Sequence, residues 1–116
     1  MDKPFMILGY SYQIELNPCF FDEASLPNIR KAVGCLFQNP LANRKTAHDL
    51  HAYLVARQAE AKEAWTEASH IYQNEYRLLQ DLHNRRLLAE VKRCKAAYER
   101  WGKIINYFDN LNTVIK

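Results

Sequence analysis

The sequence predicts a mainly α protein: a long antiparallel helical hairpin, coiled-coil-like, with a short helix and an N-terminal strand-like arm. Three observations predict it. From Leu41 to Trp101 run 61 residues with neither glycine nor proline, whereas all four prolines and two of the three glycines fall in the first 40 positions. A β-domain needs both residues for its turns, so the long stretch reads as helix. That stretch is also rich in strong helix formers, with seven alanines between Ala47 and Ala68. Finally, its apolar residues recur at helical spacing in two separate series.

With 116 residues, 48% of them hydrophobic and 25% charged, the chain is expected to form one domain, 1–116, around a single core. Its expected parts are a strand-like arm over 1–17, a short helix over 22–38, a long helix over 46–82 and a second hairpin helix over 86–112.

In the arm, Met6, Leu8, Tyr10, Tyr12, Ile14 and Leu16 alternate with Ile7, Gly9, Ser11, Gln13 and Glu15, a clean period of two from Leu8 onward. This is the pattern of one half-buried strand, ended by Asn17-Pro18. The sequence offers no second strand to pair with it, and burying unpaired backbone groups is costly. The arm is therefore expected to pair with its own copy, to extend a partner's sheet, or to lie along the helices.

The short helix has Ser25 or Asp22 near its cap, Pro27 in its first turn, and Ile29, Val33, Leu36 and Phe37 facing inward; Asn39-Pro40 ends it. Thr46, with Asp49 three positions on, is the expected cap of the long helix. Its apolar series runs Leu50, Leu54, Ala61, Trp65, Ala68, Tyr72, Tyr76, Leu79. The second series, Leu87, Val91, Cys94, Tyr98, Trp101, Ile105, Phe108, steps by four and three and forms a heptad seam. Between them Gln80, Asp81, His83, Asn84, Arg85 and Arg86 are polar, and Leu82 is the one apolar residue. The chain is expected to turn near Asp81–Arg86; the alternative is one continuous rod of about 90 Å with a shifted seam. The hairpin is preferred because it buries both stripes within one chain.

The chemistry-bearing residues point away from catalysis. His48 and His51 share a helix face beside Asp49, but a zinc site needs at least one more ligand. Glu67 and His70 have the spacing used in di-metal helical bundles, yet such sites need a second copy, and Glu90 is followed three residues later by Arg93. Cys94 lies in the seam, where burial would suppress its reactivity. No nucleophile elbow, phosphate-binding glycine loop or zinc-protease motif occurs. No catalytic residues, metal, cofactor or small-molecule substrate are expected. Three cysteines without a CxxC fit free thiols in a reducing, cytoplasmic setting. No long apolar run suggests a membrane span or signal segment, and no membrane partner is expected.

Charge is asymmetric. Residues 45–84 carry 4 basic and 6 acidic side chains, whereas residues 85–103 carry 7 basic and 2 acidic ones. Arg85, Lys92, Arg93, Arg100 and Lys103 form a basic stripe opposite the seam, along about 27 Å of helix. Such a stripe could follow a phosphate backbone, which makes nucleic-acid binding, or docking on nucleic-acid machinery, the alternative function.

The leading expectation is a non-catalytic protein–protein interaction module: a small adaptor, inhibitor or assembly subunit. Its contacts would come from Leu8, Tyr10, Tyr12 and Ile14 of the arm and from Trp65, Tyr72 and Tyr76 of the hairpin. The partner would be another protein or a second copy of the chain, giving a homodimer.

Overall fold

The structure, a computed structural model, describes residues 3–78 and 80–115. In chain order it contains β1 (Phe5–Leu8), β2 (Gln13–Leu16), α1 (Phe20–Glu23), α2 (Leu26–Leu36), α3 (Arg44–Glu75) and α4 (Asp81–Ile115). The fold is mainly helical, and α3 and α4 are the arms of a helical hairpin. The turn between them excludes the single rod.

The arm is not one strand. β1 and β2 fold back on each other as an antiparallel pair, with Phe5 opposite Leu16 and Ile7 opposite Ile14. Four loop residues, Gly9 to Tyr12, separate the strands, so a face bearing odd-numbered residues in β1 bears even-numbered ones in β2. The fully buried residue is consequently Ile7, and Leu8 is exposed. The uninterrupted alternation hid this turn because it runs straight through it. Gly9 N–H donates to Tyr12 C=O at 2.8 Å to close the loop. Glycine is needed here for a close approach: a Cβ on Gly9 would sit 2.4 Å from the Tyr12 ring.

Side chains complete the other edge of β1. The Thr46 hydroxyl donates to Met6 C=O at 2.8 Å, so Thr46 is not the helix cap expected of it; α3 begins two residues earlier, at Arg44. Leu8 N–H donates to Asn43 Oδ1 at 2.7 Å, and Asn43 Nδ2 donates to Leu8 C=O at 2.9 Å. The same Nδ2 also reaches the carbonyls of Leu36 (3.2 Å) and Asn39 (3.1 Å). Asn43 is the buried polar residue around which the first 50 positions are organised.

The expected short helix over 22–38 is two. α1 stops at Glu23, and α2 restarts after Ser25, whose hydroxyl accepts from Asn28 N–H at 3.5 Å. Pro27 explains the break: in a continuous helix its ring would meet the Glu23 carbonyl. Ile29, Val33 and Leu36 are buried as their spacing predicts.

Contacts divide the chain into two compact units, one running to Leu54 and resuming at Lys103, the other spanning Val55–Gly102. The first unit holds most of the core: Ile7, Phe21, Ile29, Val33, Leu50, Leu54 and Ile104 are fully buried. Around Phe21, the Phe5 and Tyr53 rings lie at 6.2 and 6.3 Å, and Tyr53 OH donates to Pro18 C=O at 3.4 Å. Ile104, rather than the expected Ile105, occupies the core-facing position after Trp101. A step of three is as compatible with a helical stripe as a step of four, and the sequence has isoleucine at both places.

The second unit buries little. Ala68, Cys94 and Trp101 are its buried apolar residues, with Trp65 packed on Tyr98 at 5.7 Å. A Cβ on Gly102 would sit 3.1 Å from Gln58 Nε2, a tight contact with the end of a flexible side chain. The Arg57 and Arg100 guanidinium carbons lie 5.3 and 5.7 Å from the Trp101 ring centre.

α3 ends at Glu75 and α4 begins at Asp81, so the chain reverses ahead of the expected Asp81–Arg86. The polar run taken for the loop is instead the start of α4, and its side chains reach back to pin the turn. Asn84 Oδ1 accepts from Arg77 N–H at 2.9 Å, Asn84 Nδ2 donates to Arg77 C=O, and His83 Nε2 is 3.1 Å from Glu75 C=O. Leu79, counted in the first apolar series, lies outside the described residues. No described helix is long and apolar enough to cross a membrane.

Candidate interaction surface

At the hairpin end, the polar side chains that pin the backbone leave the apolar ones facing outward. Leu78 is 82% exposed, Leu82 64% and Tyr76 47%. Tyr72 and Tyr76 meet edge to face at 5.7 Å, so Tyr76 is held by a neighbouring ring while half its area faces solvent. Ile71 and Leu88 add exposed apolar area on the same unit. With two helices and many alanines, each helix can bury only one narrow stripe against the other. Among the described residues, Leu78 and Leu82 lie off that stripe and face solvent.

Of the expected hairpin contacts, Tyr72 and Tyr76 therefore come together, while Trp65 packs against Tyr98 and under the Lys95 ammonium, 5.9 Å from its ring centre. Leu78, Leu82 and Leu88 were missed. Their signal was available: each is a leucine outside both apolar series.

In the first unit, Tyr10 is 84% exposed at the tip of the β-hairpin. Tyr12 lies across Gly9 and its hydroxyl donates to Gln38 Oε1 at 2.5 Å; burial, and secondarily Cys35, raises its phenol above the ordinary range. Leu8 is exposed, with its backbone taken by Asn43, and Ile14 is half-buried opposite Ile7. The four do not form one strand face. The available side chains are Leu8, Tyr10 and Tyr12, and the β1 edge that would have paired with a partner is occupied.

The basic residues are unequally available. Arg93 binds Glu90, with Nε 3.0 Å from Oε2; this bond holds the Glu90 carboxyl below its usual range and pushes Arg93 up. Arg100 lies against Trp101. Arg85 and Lys92 are exposed, and Lys103 is an exposed residue of the first unit.

His48 and His51 both line a cleft in the first unit, where His51 Nε2 is 3.2 Å from Asp109 Oδ1. Among the described residues no group of three or more histidine, cysteine, aspartate or glutamate side chains is placed to hold a metal ion. Cys94 is buried and lies 3.6 Å from Glu90 Oε1; burial, then the Glu90 charge, raises its thiol, the direction opposite to nucleophile activation. Cys19 is exposed and Cys35 half-buried, and all three are free thiols. Compared with protein-family models, curated proteins and solved structures, the chain gives no significant match.

Proposed function

We propose that this chain is a non-catalytic protein–protein interaction module, an adaptor, inhibitor or assembly subunit that docks through the pinned end of its helical hairpin. The observation that carries the reading is the exposure of Tyr76 and Leu78, between α3 and α4, and of Leu82 in the first turn of α4, beside backbone fastened by Asn84 and His83. Apolar anchors on a fixed backbone lose little conformational entropy on binding, which is the property of interface hot spots. Tyr10 and Tyr12 offer a second contact. Free thiols support a reducing, cytoplasmic setting.

The test is affinity capture with and without nuclease, comparing wild type with a Leu78→Asp/Leu82→Asp variant. A protein captured by wild type and lost with the variant supports the reading, provided helicity by circular dichroism is unchanged. Capture abolished by nuclease alone transfers the function to the exposed cations Arg85 and Lys92. Light scattering on the purified chain reports whether the partner is a second copy.

A further inference from the structure

The cleft lined by His48 and His51 has a volume of about 620 Å³, within the range of about 300–1,000 Å³ typical of small-molecule sites. Its residues come from α2, the α2–α3 turn, α3 and the far part of α4, all in the first unit. Phe37 and Phe108 form its apolar wall and meet edge to face at 5.3 Å, so they brace each other rather than collapse into the space. The His51 ring lies 5.1 Å from Phe108. At the lip, Leu41 is 88% exposed.

The polar residues of the lining are Arg44, His48, His51 and Asp109. Asp109 is the carboxylate in the lining, and it is already engaged by His51. Arg44 makes no ion pair with any described residue. His48, four positions further along α3, is its neighbour on the helix surface. An apolar wall beside an uncommitted guanidinium complements a hydrocarbon carrying a single acidic group, which a guanidinium can bind with two parallel hydrogen bonds.

We propose that this cleft binds a small apolar carboxylic acid, with its hydrocarbon on Phe37 and Phe108 and its carboxylate on Arg44. Binding involves no turnover and is independent of the hairpin-end docking reading. Isothermal titration of the whole chain with decanoate, 3-phenylpropionate and decylamine tests it. The acids are expected to bind one per chain, and decylamine about tenfold or more weakly. Arg44→Gln should erase that preference while leaving helicity intact. Ala52→Trp, at an exposed helical position lining the cleft, should block all three. Equal binding of decanoate and decylamine, acid binding unchanged in Arg44→Gln, or no binding of either acid at millimolar concentration would each overturn the proposal.

Discussion

Asn43 and Leu8, 35 positions apart, are joined by two hydrogen bonds of 2.7 and 2.9 Å between one side-chain amide and both backbone groups of one strand residue. The amide completes the free edge of β1 as a neighbouring strand would. The α2–α3 turn is thereby bolted to the β-hairpin, and the same Nδ2 reaches the Leu36 carbonyl. Asn84 repeats this geometry on Arg77 at the hairpin end, but on an exposed residue. Two asparagines thus make the same connection at different depths.

That contrast predicts unequal costs. Asn43→Ala strands a buried donor and several acceptors and should lower the free energy of unfolding by about 2–3 kcal/mol. Asn84→Ala exposes the Arg77 backbone to water and should cost about 0.5–1 kcal/mol. Urea denaturation of the two variants measures the difference.

Neighbouring isoleucines on α4 should behave differently too. Ile104→Ala opens a cavity in the first unit and is expected to cost about 2–4 kcal/mol, whereas the half-buried Ile105→Ala should cost clearly less. A reversed order in thermal or urea unfolding would restore the heptad assignment read from the sequence.

The thiols give a burial ranking. Cys19 should react with Ellman's reagent at once and Cys35 more slowly, while Cys94, buried and with a raised thiol, should react only on unfolding. Timed labelling followed by peptide mass spectrometry checks the order.

Tyr12 links pH to the β-hairpin. Its phenol is raised, so the folded form retains a proton that the unfolded chain has released. The stability it contributes is complete below the ordinary tyrosine value and is lost as pH rises through the folded one. Gly9→Ala pushes the ring away and should return Tyr12 to ordinary titration, at a cost of about 1 kcal/mol. Ultraviolet titration of wild type and variant reads the shift.

The helical hairpin was legible because its signals are local: the absence of breakers, the alanine content and two stripes at helical spacing. The α2 core residues followed for the same reason. What stayed hidden depends on partners distant in sequence. The β-hairpin escaped because residues of one parity are apolar on both sides of a turn that lacks an Asn-Gly signal. The start of α4 at Asp81 is hidden because a polar run resembles a loop, whereas His83 and Asn84 are helical residues that bond to the backbone of Glu75 and Arg77. The cleft was invisible: Arg44, His51, Phe108 and Asp109 meet only after the chain has folded back on itself.

Comparative affinity capture with wild type and the Leu78→Asp/Leu82→Asp variant, nuclease present in both, tests the central claim most directly. The account predicts a stoichiometric protein partner with the wild-type chain, its loss with the variant, and equal helicity in the two. An identical set of captured proteins from both chains would show that the exposed hairpin end is not the docking surface.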